Sequence, residues 1–484
     1  MDFSDAIKLD KSHTRTENGA KALNTTSDGR LDLFGTIGAL RNTIYDRKIA
    51  LYENSYKVDP TFTTKILFYA RDIRGGLGER QTFRDLVNYA ARQHPETIRG
   101  NIWLIPHYGR WDDLYSLVDT PLEHEMWAFM KKQFEKDLAN IELHGAAEVS
   151  LLAKWIKSPD ASSKESKRLG ILTANKLGYT VYDFKRKIRA IRKYLDVTER
   201  KMSAKEWKSI VYPNVPSKAM NNYRNAFMRN DCRRFYQYMK DVREGKQKIN
   251  AGVLFPYDIV EKYMYHRNVG IDSVLEEQWK ALPNYIDKPM NAIVMADISG
   301  SMYGRPMATS VGLAIYFAEH NTGVYHNLFM TFDSEPTFVS LKGDTLEEKI
   351  RLFMGVPWGG TTNLKLAFRK ILDVAIENQV TQEEMPKSLI VITDMEIDNC
   401  GTSWDFYESM SELFTENGYQ TPNVVFWNVD SRHDTFLTKS EWKGVQLVSG
   451  QSASTFGNLI ESFSYSPVEL MEKVINSDRY KWIK

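Results

Sequence analysis

From about residue 31 to residue 280, apolar residues recur at i, i+3, i+4 and i+7, the spacing that lines one face of an α-helix. LDLFGTIGALRN opens this run. TFTTKILFYARDI and TFRDLVNYAARQ follow, parted by Gly75-Gly76-Leu77-Gly78, and predict a helix–turn–helix. PETIRGNIWLIPHYG, WDDLYSLVD, EHEMWAFMKKQFEKDLANIEL and AAEVSLLAKWIK continue the pattern, with Gly or Pro turns between them. Antiparallel helix pairs stacked in series bury such faces most simply, although no strict period recurs.

After Pro289 the texture changes. NAIVMADIS, VYHNLFMTF, SLIVITDM, NVVFWNVD and VQLVSG are short, β-branched-rich runs, and helical segments such as PMATSVGLAIYFAEH and NLKLAFRKILDVAIEN separate most of them. Near-continuous apolar strands alternating with helices predict a doubly wound parallel α/β sheet. Residues 1–30 are polar, rich in Thr, Asn, Asp and Gly, and predict an extended or partly disordered arm. The expected organisation is therefore an arm (1–30), a helical domain (31–285) and an α/β domain (286–484), fold class α + α/β.

With 42% hydrophobic and 26% charged residues in 484, the chain has the composition of an ordinary core-forming protein. Its two cysteines, Cys232 and Cys400, are too few for a disulfide framework or a structural zinc site, which points to a reducing, cytoplasmic setting. The opening MDFSDAIKLDK has no apolar stretch of the kind a secretory signal needs, and no apolar run approaches the ~18 residues that span a bilayer. The net charge of +2 conceals an asymmetry: residues 286–484 carry 16 basic and 26 acidic side chains, whereas 181–250 alone carry 19 basic and 7 acidic. A basic stretch of that density suggests a polyanionic partner.

AIVMAD and LIVITD both end on an aspartate, and in an open α/β sheet functional groups gather at the carboxyl ends of strands. The first continues as Asp297-Ile298-Ser299-Gly300-Ser301, where alternation turns one carboxylate and two hydroxyls toward one point. Gly359-Gly360-Thr361-Thr362 opens a helix and offers a third hydroxyl, from Thr362 in preference to Thr361, and Asp394 ends the second strand. An oxygen-only set suits Mg²⁺, Mn²⁺ or Ca²⁺ better than zinc. Each piece alone is a common turn or cap; the order of all three on alternating strands and helices is specific.

This constellation resembles the metal-ion-dependent adhesion site of von Willebrand factor A domains, over about residues 290–484. The resemblance implies that the two serines and the threonine touch the ion and that the aspartates act mostly through water. It also implies that a carboxylate from a protein partner often completes the coordination. FYARDIRGGLGER (68–80), HYGRWDDLYSLV (107–118), VPSKAMNNYRNAFMRND (215–231) and VITDMEID (391–398) resemble a domain-of-unknown-function family with a helical front half and an A-domain back half. More distantly, the arrangement is similar to the Ro ribonucleoprotein, or TROVE, family. That likeness implies a HEAT-like solenoid or ring binding small non-coding RNA.

The basic stretch can be read on its own. In VYDFKRKIRAIRKYL, Lys185, Arg189, Arg192 and Lys193 share a helical face, with Arg186 beside them, while Ile188, Ile191 and Leu195 share another. Further on, Lys218, Arg224, Arg229, Arg233 and Arg234 are interleaved with Tyr223, Phe227 and Phe235. Guanidinium groups with aromatics suit phosphates and unstacked bases. The bland alternatives are a solvated face over a packed core, or a face docked on the acidic half. No P-loop, HExxH, GxSxG or recognised Cys–His signature occurs, so a non-enzymatic protein is expected, with metal-assisted hydrolysis as a minor alternative.

Overall fold

The computed structural model describes residues 11–143, 149–265, 272–286, 288–332, 334–356, 362–399, 406–459 and 464–484. It shows an α + α/β protein. Thr361, its preceding glycines and Cys400 lie outside the described residues.

Two short strands, β1 (His13–Arg15) and β2 (Lys21–Leu23), pair antiparallel. The remaining strands are β3 (Ala292–Ala296), β4 (Leu328–Thr331), β5 (Phe338–Ser340), β6 (Ser388–Thr393), β7 (Asn423–Asn428) and β8 (Val445–Ser449). They form one six-stranded sheet of order β5-β4-β3-β6-β7-β8. All its pairings are parallel except β4 with the edge strand β5, which periodicity did not predict. Every residue of β3, β6 and β8 is buried. That burial on both faces is why these runs read as continuous apolar segments and not as alternation. The strand order reverses between β3 and β6, the switch point at which open α/β sheets place their functional groups.

The predicted helix–turn–helix is present as helices Pro60–Arg71 and Gln81–Gln93. Asp59 caps the first, accepting from the N–H of Phe62, and Pro60 occupies the first turn, where its missing N–H is harmless. WDDLYSLVD forms a 3₁₀ helix, Trp111–Leu117, and not an α-helix. The buried Asp113 carboxylate accepts from Arg71 Nε (2.7 Å), Arg84 Nε (2.7 Å) and the Arg110 N–H (2.8 Å), which holds the tight turn.

Within the segment expected to be an extended or partly disordered arm, His13–Arg15 and Lys21–Leu23 form the β1–β2 hairpin, which lies on the sheet half. Thr16 Oγ1 donates to the Ile397 carbonyl (2.6 Å) and Asn18 Nδ2 to the Glu396 carbonyl (2.6 Å). Leu23 and Phe436 exchange two backbone hydrogen bonds of 2.8 Å. Its polar side chains satisfy the loop backbone beyond β6, while Ala20, Ala22 and Leu23 are buried.

One hydrophobic core runs through both halves, from Ala20 to Ile483. Where they meet, the chain passes backbone to backbone: a Cβ on Gly38 would stand 2.7 Å from the Gly450 backbone. A second, smaller core gathers Tyr212, Met220, Phe227, Phe235 and Tyr238. No helix among the described residues is long and apolar enough to cross a membrane.

Candidate metal centre and nucleic-acid interface

β3 and β6 are in register, Ala296 opposite Ile392, so Asp297 leaves the sheet beside Thr393 and Asp394 follows at the next position. Both are about 1% exposed. The Asp297 N–H continues the ladder to the Ile392 carbonyl (2.8 Å). One oxygen of Asp297 accepts from the Ser299 N–H (2.8 Å) and the other from Thr393 Oγ1 (2.9 Å). The Ser299 and Ser301 hydroxyls lie 3.0 Å apart in the exposed turn after β3. Thr362 is buried, but it is held to the loop after Asp394: its hydroxyl accepts from the Asp398 N–H (3.1 Å), and its own N–H donates to the Asp398 carboxylate (2.6 Å). The structure thus brings together Asp297, Ser299, Ser301 and Asp394, with Thr362 on the neighbouring loop.

Three acidic residues crowd Asp394. Burial, and then the charge of Asp394, pushes the Asp297 carboxyl up to about 6. Glu396 and Asp430 are raised as well, burial first and Asp394 contributing to each. Arg432 Nη2 donates to Asp394 Oδ2 (2.7 Å), and its Nη1 stands 3.2 Å from Glu17 of the hairpin loop. Among the described residues no group of three or more His, Cys, Asp or Glu side chains could hold a metal ion. A cation here therefore needs the serine hydroxyls as donors. The buried, mutually repelling carboxylates beside two adjacent hydroxyls are the hard, oxygen-rich set that fits Mg²⁺, Mn²⁺ or Ca²⁺. Sequence reading missed Glu396, Asp430 and Arg432. One signal was available: NVVFWNVD is a third strand run ending on an aspartate.

The basic residues divide sharply. Arg192 is not part of a free cationic face: its Nε donates to the Ala153 carbonyl (2.7 Å) and Nη2 to Ile156 (3.2 Å), completing the end of helix Leu152–Trp155. Arg224 is buried and bonded to Asp272 (2.6 Å) and the Asn221 carbonyl (2.6 Å). Arg234 binds Asp231 (2.8 Å) and the carbonyls of Trp207 (3.2 Å) and Ile210 (2.8 Å). Lys218 pairs with Asp258 (3.2 Å), Lys185 with Asp160 (2.8 Å) and Arg186 with Asp183 (3.4 Å). Phe227 and Phe235 pack against Tyr212 in the second core, so they are not available to stack on bases. Arg189, Lys193, Arg229 and Arg233 are exposed.

Helix Val181–Tyr194 packs on helices Leu152–Trp155, Lys164–Leu177 and Glu123–Leu143. Beside it lies a groove of about 540 Å³, lined by Lys154, Lys185, Arg189, Arg192 and Arg200 against Asp160 and Glu199, with Trp155 in its wall. Lys154, Trp155 and Arg200 were not singled out in the sequence, because they come from two other helices.

Fold and site together define a two-part protein: a helical half with a cationic groove, and a mostly parallel sheet with buried carboxylates and two serine hydroxyls at its carboxyl edge. The chain belongs to the family described as domain of unknown function DUF2828, whose model matches residues 16–142 and 158–289. The model of a second family, domain of unknown function DUF7788, matches residues 291–479. The boundary between the two matches falls just before β3. The chain is also similar to "Uncharacterized protein L728" of Acanthamoeba polyphaga mimivirus, 28% identical over 503 residues that cover 95% of this chain and 86% of that protein.

Proposed function

We propose that this chain is a Ro-like, cytoplasmic RNA-binding scaffold. The helical half is read as a TROVE-type, HEAT-like solenoid that takes single-stranded or small non-coding RNA. The sheet half is read as a von Willebrand factor A-like domain whose Asp297, Ser299, Ser301, Thr362 and Asp394 hold a divalent ion. The strand order 3-2-1-4-5-6, counted from β3, supports the doubly wound assignment. Bound there, Mg²⁺ (or Mn²⁺ or Ca²⁺) supplies a coordination position for a protein partner's carboxylate. The chain's own part is to hold the two hydroxyls in place through Asp297 and to keep Asp394 oriented through Arg432.

The observation that carries the RNA reading is the groove, in which Lys154, Lys185, Arg189 and Arg200 stand against Asp160 and Glu199 beside an indole, with Arg192 held to backbone carbonyls in its wall. Phosphate contacts of this kind are salt-dependent. Filter binding of single-stranded RNA is expected to weaken steeply from low to moderate salt, and Arg189→Glu is expected to weaken it for every sequence. No binding, or binding indifferent to salt, overturns the reading. A second reading is a metal-dependent protein-interaction module without nucleic acid. The structural roles of Arg192, Arg224 and Arg234 favour it, since they remove three cations from the sequence-based count. Partner capture abolished by EDTA, from protein carrying no nucleic acid, supports that reading. The ion site calls for no catalytic base, and a hydrolase is supported only by metal-dependent turnover that Ser299→Ala removes.

A further inference from the structure

The two sequence motifs in the front of the chain, RGGLGER and GRWDD, place a second cationic patch on the far side of Trp155. The Arg110 guanidinium lies 4.0 Å over the centre of the Trp155 ring, and Trp155 also lines the groove. Arg110 and Arg84 both reach Asp112 (2.9 Å each), and Lys157 stands 3.7 Å from the same carboxylate. Arg80 lies one helical turn before Arg84, so the two share a face; it is exposed, and no carboxylate among the described residues makes an ion pair with it. Arg71 is buried against Asp113, so the surface patch consists of four cations, Arg80, Arg84, Arg110 and Lys157, beside the carboxylates of Asp112 and Asp113.

We propose that the groove and this patch form one cationic track divided by Trp155, and that the track takes an extended single strand of RNA and not a single nucleotide. Phosphates on one side meet Arg189 and Lys154, and those on the other side meet Arg80. The inference rests on the RNA reading above and adds to it the length of the ligand and the role of the front-half motifs.

The test uses fluorescence anisotropy of labelled oligouridine of 4 and 12 nucleotides on the full chain, over a salt series. Arg80→Glu is expected to weaken the 12-mer about tenfold at ~0.1 M salt and to reduce its salt slope, while leaving the 4-mer nearly unchanged. Arg189→Glu is expected to weaken both. Arg80→Ser, which removes charge without reversing it, is expected to give an intermediate loss for the 12-mer. If Arg80→Glu leaves the 12-mer as tight as wild type while Arg189→Glu weakens it, the track is refuted and the groove stands. If Arg80→Glu weakens both oligomers equally, the patch is part of one short site and the extension is refuted. If neither oligomer binds the wild-type chain, the RNA reading falls and this inference with it.

Discussion

At the residue scale, burial separates side chains that look equivalent in sequence. Arg224 and Arg229 both follow an aromatic-rich pattern, yet one is sealed against Asp272 and the other is exposed. Periodicity assigns a residue to a face; it does not say whether a nearby carbonyl or carboxylate claims the head group. The same holds for acids. Asp32 accepts from Thr25 Oγ1 (2.5 Å), Thr26 Oγ1 (2.6 Å) and the Thr26 N–H (2.7 Å), but burial outweighs these bonds and pushes it up to about 6. Asp297 is raised to about 6 as well. An aspartate in the unfolded chain titrates near ~4. Below that pH both states are protonated and the contribution to stability is fully present. As pH rises through about 6 the folded chain must release the proton and leave a charge on a buried carboxylate, and the contribution is lost, roughly 3 kcal/mol at most for each group. Asp32→Asn is therefore expected to gain stability relative to wild type as pH goes from 4 to 7, read from urea midpoints in EDTA. A difference constant with pH would refute the assignment.

At the element scale, short segments that carry little periodicity tie the molecule together. The 3₁₀ turn Asp478–Tyr480 reaches back to the helical half. Arg479 binds Asp72 through Nε and Nη2, the Tyr480 hydroxyl donates to the same carboxylate (3.0 Å), and Tyr108 donates to the Arg479 carbonyl (2.5 Å). Burial raises Asp72, but the bonds and charge of Arg479, with the bonds from the N–H groups of Arg74 and Gly75, bring it below its usual value. Tyr480 is 1% exposed, while the Arg479 side chain is 39% exposed. Removing the ring opens a cavity and leaves a buried carboxylate with one donor fewer. Tyr480→Ala is expected to cost about 3–5 kcal/mol, and Arg479→Ala about 1–2 kcal/mol because water can replace part of its interaction. Denaturant midpoints giving the reverse order would show that the charge, and not the packing, holds the strap. The β1–β2 hairpin acts similarly at the other end, and its Thr and Asn side chains, read as loop composition, are its attachment points.

At the scale of the whole molecule, the halves that charge and pattern divide are joined by one core. Gly38 against Gly450, the hairpin on the loop after β6, and Tyr480 among Tyr69 and Tyr108 hold the two halves against each other. A shared apolar core predicts shared unfolding. Calorimetry is expected to show a single transition, and residues 286–484 expressed alone are expected to be unfolded or aggregated. Two resolved transitions would instead mark independent domains. The sequence by itself determined the helical front, the strand runs behind it and the pair of aspartates at strand ends. Those follow from local spacing, which the backbone geometry of helix and strand imposes directly. It also located the excess of positive charge, but not its use. Which cations are spent inside the protein, the company of Glu396, Asp430 and Arg432 around Asp394, and the groove were decided by tertiary structure alone. Each depends on residues far apart in the chain meeting in space, and on how much water their meeting excludes.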